Sequence, residues 1–194
     1  MRTCVHAIGW VVSTALAHAQ FHVAGLGGFA ALSGAAAAQA NPPATSSYNP
    51  KVGSAFQLAA GYHFNDWFSV QCGYVGNRNS VVASELAGGV LVQQNAERTM
   101  HAVGAEAQLY FRSRSSWVRP YLSAGPAWVR IAGQNRLGLR VAVGADLMHR
   151  RTGWGFRYTF SEMQSGNPLG EALRPAATSR LMNFQNLFGI VKQF

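Results

Sequence analysis

The chain has 194 residues, a formal charge of +9, 48% hydrophobic residues and only 12% charged ones. That is long enough for one domain, and the apolar content argues against an intrinsically disordered polypeptide. No run of about 18 consecutive apolar residues occurs, so a helical membrane span is not supported. The basic residues are scattered among turns and loops instead of forming one stripe, and the charge therefore predicts no nucleic-acid surface.

Met1 to Ala19 carries Arg2 ahead of an apolar stretch and ends in Ala17-His18-Ala19, the pattern of a cleaved secretory signal peptide. Its removal takes Cys4 away and leaves Cys72 alone, which rules out an intrachain disulfide in the remainder, Gln20 to Phe194. Eight strands are predicted there from period-2 alternation and turn residues. The first is Phe21 to Leu32. Ala35 to Gly53, with Pro42, Pro43 and Pro50, is predicted as an exposed loop because proline removes a ladder donor. Ser54 to Phe64 and Trp67 to Val75 form a hairpin about a tight turn at Asn65-Asp66. Cys72 alternates with Phe68, Val70 and Tyr74, as a small apolar wall residue.

From Gly76 to Met100 polar residues interrupt the apolar ones, predicting a long loop that extends its flanking strands. His101 to Phe111 and Trp117 to Ile131 come next, with Pro120 and Pro126 predicting bends or bulges in the second of these. Leu137 to Phe160 is the clearest hairpin, turning between His149 and Gly153. It sets Leu137, Leu139, Val141, Val143, Trp154, Phe156, Tyr158 and Phe160 on one face, and Arg140, Asp146 and Arg157 on the other. Ser165 to Met182 is a long polar loop, and Asn183 to Phe194 the last strand.

The connections run long, short, long, short, short, short, long, as in an antiparallel up-and-down barrel with tight turns at one end and longer loops at the other. A bilayer offers the backbone no water, so a spanning sheet must close on itself. An arginine facing midplane lipid costs roughly 2 to 4 kcal/mol. The charged faces therefore belong inside, and eight strands leave a lumen filled by side chains. Glu106, Arg119, Tyr121, Arg140, Asp146 and Arg157 are the predicted lumen network, structural in role. A four-residue turn is expected to set Arg157 opposite Gly144 and diagonal to Asp146, within pairing reach. Trp67, Trp117, Trp128, Trp154, Tyr158 and Tyr62 are candidates for interfacial aromatic belts.

Two short motifs carry a family likeness. Phe194 ends an alternating strand with Phe188 and Ile190, and Arg119-Pro120-Tyr121-Leu122-Ser123-Ala124-Gly125 forms one continuous run. In these features Gln20 to Phe194 resembles the small outer-membrane β-barrels of the OmpA-like and OmpX-like kind. The resemblance implies residence in the outer membrane of a Gram-negative-type bacterium and insertion by the barrel-assembly machinery, with Phe194 as the assembly signal. Lys192 departs from the apolar residue usual in that strand, although a lysine near a strand end can snorkel to the interface.

Signals for catalysis or cofactors are weak. Gly25-Leu26-Gly27-Gly28-Phe29-Ala30 matches a dinucleotide fingerprint by letter but lacks the acidic residue about 20 positions on and the βαβ context. No H-E-x-x-H or other metal-ligand spacing occurs. Resemblance to barrel enzymes that remodel lipid A makes Ser161, Glu162 and His149 the nearest triad candidates, yet His149 belongs at the opposite barrel end. No catalytic, cofactor or metal site is expected. The expected function is a structural or surface-interaction role for a monomer surrounded by outer-membrane lipid. Arg78, Arg98, Arg130, Arg136, Arg174 and Arg180 fall on the long-loop side, where lipopolysaccharide phosphates are possible partners. The alternatives are a narrow pore or passive transporter, in which altering Arg140 and Asp146 abolishes conductance, a lipid-modifying enzyme, and a soluble lipocalin-type binder.

Overall fold

The computed structural model describes residues 20–32, 36–40, 44–87, 90–131, 133–166 and 180–194. The segment assigned to export, Met1 to Ala19, lies outside them, as does 167–179. Among the described residues ten strands form one antiparallel sheet: β1 (Gln20–Leu32), β2 (Ala36–Ala40), β3 (Ala44–Pro50), β4 (Gly53–His63), β5 (Phe68–Ala87), β6 (Val90–Tyr110), β7 (Val118–Ile131), β8 (Gln134–His149), β9 (Trp154–Gly166) and β10 (Arg180–Gln193). Eight of them, β1 and β4 to β10, make the wall. Each pairs with the next, and β10 returns to β1 from His22↔Gln193 to Leu32↔Asn183. The wall is a closed eight-stranded up-and-down barrel, and closure satisfies the edge donors an open sheet would leave.

Alternation decides what faces where. On β4, Ala55, Gln57, Ala59, Gly61 and His63 are buried while Phe56, Leu58 and Ala60 are exposed. Exposed Leu139, Val141, Val143, Leu147, Phe156, Phe160, Phe188 and Ile190 continue an apolar outer band, which a soluble barrel would not present to water. Trp67, Trp117, Trp154 and Phe194 ring the turn end, and Trp128 lies near the loop end. Tyr158 sits farther into the wall, its hydroxyl donating to Asn186 Oδ1 at 2.9 Å. Cys72 faces outward, in register with Ala60 and Ala105.

The turn end is built by residues legible in the sequence. Asn65 Oδ1 accepts from the backbone N–H of both Trp67 and Phe68 at 2.8 Å, fixing the 64–67 turn. Gly153, at φ 66°, supplies the left-handed residue that closes the 150–153 turn.

Four expectations are corrected. The predicted loop Ala35 to Gly53 contains the hairpin β2–β3. Pairing of β5 with β4 ends at Arg78, so the edge of β5 beyond it is open, and β3 occupies that edge from Pro50↔Val81 to Ala44↔Ala87. Pro50 is tolerated as the strand's last residue. The predicted loop Gly76 to Met100 is mostly strand, with β5 and β6 paired without interruption from Phe68↔Leu109 to Ala87↔Val90. Inward burial continues there through Asn77, Asn79 and Val81, but the polar residues on that face break the apolar alternation that marks a strand in the sequence.

The prolines of β7 shift no register. Gly104↔Ala127 and Ala107↔Ala124 lie on one ladder, interrupted only between them, opposite Gly125 and Pro126. Finally, His149↔Trp154 closes the β8–β9 hairpin, which brings Arg157 directly opposite Asp146 instead of Gly144. Gly144 instead faces Thr159.

Candidate functional site: the polar lumen

Inward positions near the turn end carry Tyr110 and Gln108 of β6, Arg119 and Tyr121 of β7, Asp146 of β8, Arg157 of β9, and the histidines of β1 and β4. Arg157 is fully enclosed and donates through Nε to Asp146 Oδ1 at 2.6 Å and through Nη2 to Oδ2 at 2.8 Å. It also donates to Gln71 Oε1 at 2.7 Å and Tyr110 Oη at 3.0 Å. This two-pronged geometry is the strong form of the arginine–carboxylate pair. His22 Nε2 lies 3.2 Å from Gln71 Oε1, and Gln108 accepts from Ser69 at 2.9 Å.

One layer farther in, Glu106 pairs with Arg140 and accepts from Ser123 at 2.7 Å. Arg140 Nη2 also reaches Gln57 Oε1 and Ser161 Oγ, each at 3.0 Å, and Ser161 donates to Gln185 at 3.1 Å. Toward the loop end the interior becomes apolar, with Val75, Val81, Met100, Val129, Ile131, Met163 and Leu181 packed together. Asn183 donates to Asn77 beside them at 3.1 Å.

The six predicted network residues are therefore all buried but fall into separate groups. Glu106 and Arg140 form one pair, Asp146 and Arg157 another. Arg140 does not meet Asp146. Tyr121 bonds Thr159, with the Arg157 guanidinium 5.1 Å from its ring. Arg119 stands opposite Asp146 in register yet turns to the mouth, where it lies 4.1 Å over the Tyr110 ring and donates to the Asp66 carbonyl at 3.3 Å. Phe194 closes the seam through its N–H to Phe21 O at 2.9 Å. Lys192 reaches the turn-end girdle, its ammonium 5.4 Å from the Trp154 ring and bonded to Thr152 O.

Gln57, Gln71, Tyr110, Thr159 and Gln185 are not singled out by sequence, and Ser161 only as a triad candidate, not as a partner of Arg140. Their parity placed several of them inside, but the contacts of Arg140 with Gln57 and of Arg157 with Gln71 span 83 and 86 positions. The weak catalytic candidates do not assemble: His149 contacts Thr152 at the turn, whereas Ser161 is held by Arg140 and Gln185. The glycines of 25–30 lie within β1, paired on both sides, where no phosphate-cradling turn exists. Among the described residues no group of three His, Cys, Asp or Glu side chains is placed to hold a metal ion.

Comparison with known proteins agrees with this architecture. A family model for the outer membrane protein beta-barrel domain matches residues 5–172. Among curated proteins nothing matches. Neisserial surface protein A is similar in structure at 17% identity and a TM-score of 0.59, over 90% of this chain and 97% of that one. Ail of Yersinia pestis, crystallised with the heparin analogue sucrose octasulfate, aligns at 14% identity and a TM-score of 0.45, over 90% and 99% of the two chains. A closed wall that is apolar outside and charged inside, matched by the family model over most of its length, makes this chain a member of the outer membrane protein β-barrel domain family.

Proposed function

We propose that this protein has a structural or surface-interaction role in the outer membrane, with neither catalysis nor a conducting path. The observation supporting this is the filled lumen. Its carboxylates are engaged by Arg140 and Arg157, and Met100, Val129, Ile131 and Met163 pack across the interior toward the loop end. In this reading Glu106, Arg119, Tyr121, Arg140, Asp146 and Arg157 hold the wall together. Specificity then belongs to the loops and rim, as is usual where a rigid scaffold displays variable segments.

The same reading includes export through Met1 to Ala19, insertion by the barrel-assembly machinery with Phe194 as its signal, and a monomeric state. At the loop-end rim, exposed Arg130 and His101 are in register, and Arg98, Thr99 and Glu97 complete a hollow of about 520 Å³. Arg78 lies alongside, paired with Glu97. These bases are suited to lipopolysaccharide phosphates through charge-assisted hydrogen bonds. Planar-bilayer recording of the purified barrel tests the main reading. No reproducible conductance steps are expected; steps that disappear on Glu106→Gln or Asp146→Asn substitution would establish the pore instead.

A further inference from the structure

The two carboxylates buried within the wall, Glu106 and Asp146, are taken by Arg140 and Arg157. Arg119, wholly buried, has neither. Only its Nη2 finds an oxygen, the Asp66 carbonyl at 3.3 Å, while its Nε and Nη1 are buried without a hydrogen-bond partner among the described residues. A guanidinium cannot shed its proton to escape burial, so its charge must be balanced by a neighbour.

The neighbours share the deficit. His63 is also fully buried, and neither ring nitrogen has a hydrogen-bond partner among the described residues. Its ring lies 5.2 Å from that of Tyr110, whose face Arg119 covers, and 4.7 Å from that of His22. Arg114, from the 111–117 turn, spends Nε on Asp66 Oδ1 at 2.9 Å and leaves Nη1 buried and unpartnered. Arg119 and Arg114 are both among the charges acting on His63. Five unpartnered nitrogens thus belong to three neighbouring side chains at the turn-end mouth. Asp66 gives its carboxylate to Arg114 and only its backbone carbonyl to Arg119, while Asp146, opposite Arg119 in register, is held by Arg157.

We infer that this mouth binds a small monovalent inorganic anion, of the halide class, between Arg119, Arg114 and a ring N–H of His63. One negative charge balances the local excess of one, and a halide accepts N–H donors without the fixed directions a carboxylate or phosphate requires. The Asp66–Arg114 bridge draws two turns over the site, which favours an ion of that size. Asp66 and Arg114 side chains are 41% and 22% exposed, so ions reach it from the turn side.

The test uses the purified, folded barrel in nonionic detergent. Replacing gluconate by chloride at constant ionic strength should raise the melting temperature saturably. Crystals grown in bromide should give an anomalous peak beside the Arg119 guanidinium. Arg114→Gln, in an exposed turn, should weaken the apparent chloride affinity about tenfold, the scale of one lost charge-assisted bond, and Arg119→Gln should abolish the response. If Arg119→Gln does not fold, Arg114→Gln and the bromide crystals decide the matter. Equal melting in both salts, a chloride response unchanged in Arg114→Gln, or a bromide crystal with water alone at this place would overturn the site.

Discussion

Asp146→Asn keeps the shape of the buried side chain and removes its charge. Arg157 would retain Gln71 and Tyr110 as partners but lose the counter-charge that holds Nε at 2.6 Å and Nη2 at 2.8 Å. Both members are essentially unexposed, at 1% and 0%, so water does not replace the lost partner. Breaking such a pair from one side costs roughly 3 to 5 kcal/mol. With a urea slope of about 1 to 3 kcal/mol per molar, the unfolding midpoint should fall by more than about 1 M. Arg157→Met should cost a similar amount by stranding Asp146. Joining Arg157→Met to Asp146→Leu strands neither member of the pair and should return stability to within about 2 kcal/mol of the parent, the remaining deficit being lost hydrogen bonds. Tryptophan fluorescence during reversible unfolding from phosphatidylcholine vesicles, with heat-dependent gel migration as a check on closure, measures all three. An Asp146→Asn barrel within about 1 kcal/mol of the parent, or a double variant less stable than either single one, would refute the coupling.

Two further outcomes follow from the wall and the rim. A Cβ on Gly144 would lie 2.3 Å from the Tyr158 carbonyl oxygen and 2.6 Å from Tyr121 Oη, so Gly144→Ala should destabilise by roughly 1 to 3 kcal/mol in the same unfolding assay. A change below about 0.5 kcal/mol would mean that the strands separate there more easily than the register implies. If the loop-end bases hold lipopolysaccharide, Arg78→Ala combined with Arg130→Ala should diminish the melting-temperature increase produced by lipopolysaccharide micelles over plain detergent. Arg150→Ala, at the turn end, should not; equal losses from both ends would reduce the effect to overall charge.

Much of the wall was legible because its cause is local. Successive side chains alternate across a strand, so Leu139, Val141 and Val143 sort from Arg140 and Ala142 without knowledge of the neighbouring strand. Asn65 and Gly153 likewise mark turns through their own backbone chemistry. The loop-end extensions were harder to read. Toward the loop end the inward face of β5 mixes buried Asn77 and Asn79 with Val81, so the apolar pattern that marks a strand weakens although the ladder continues. β2 and β3 owe their place to an edge left open by β4, a condition no property of Ala36 to Pro50 reveals.

The sequence by itself determined that Arg140, Asp146 and Arg157 face inward, because a charged face cannot be left in lipid and parity permits only one other side. Which carboxylate each arginine meets was decided by tertiary structure. A one-step change in turn register moves the cross-strand partner by two residues, and closure of the barrel brings Glu106 to Arg140 and Gln71 to Arg157 from strands far away in the chain. It also leaves Arg119 without a carboxylate at the mouth, since that deficit depends on the packing of the whole lumen and not on any stretch of residues.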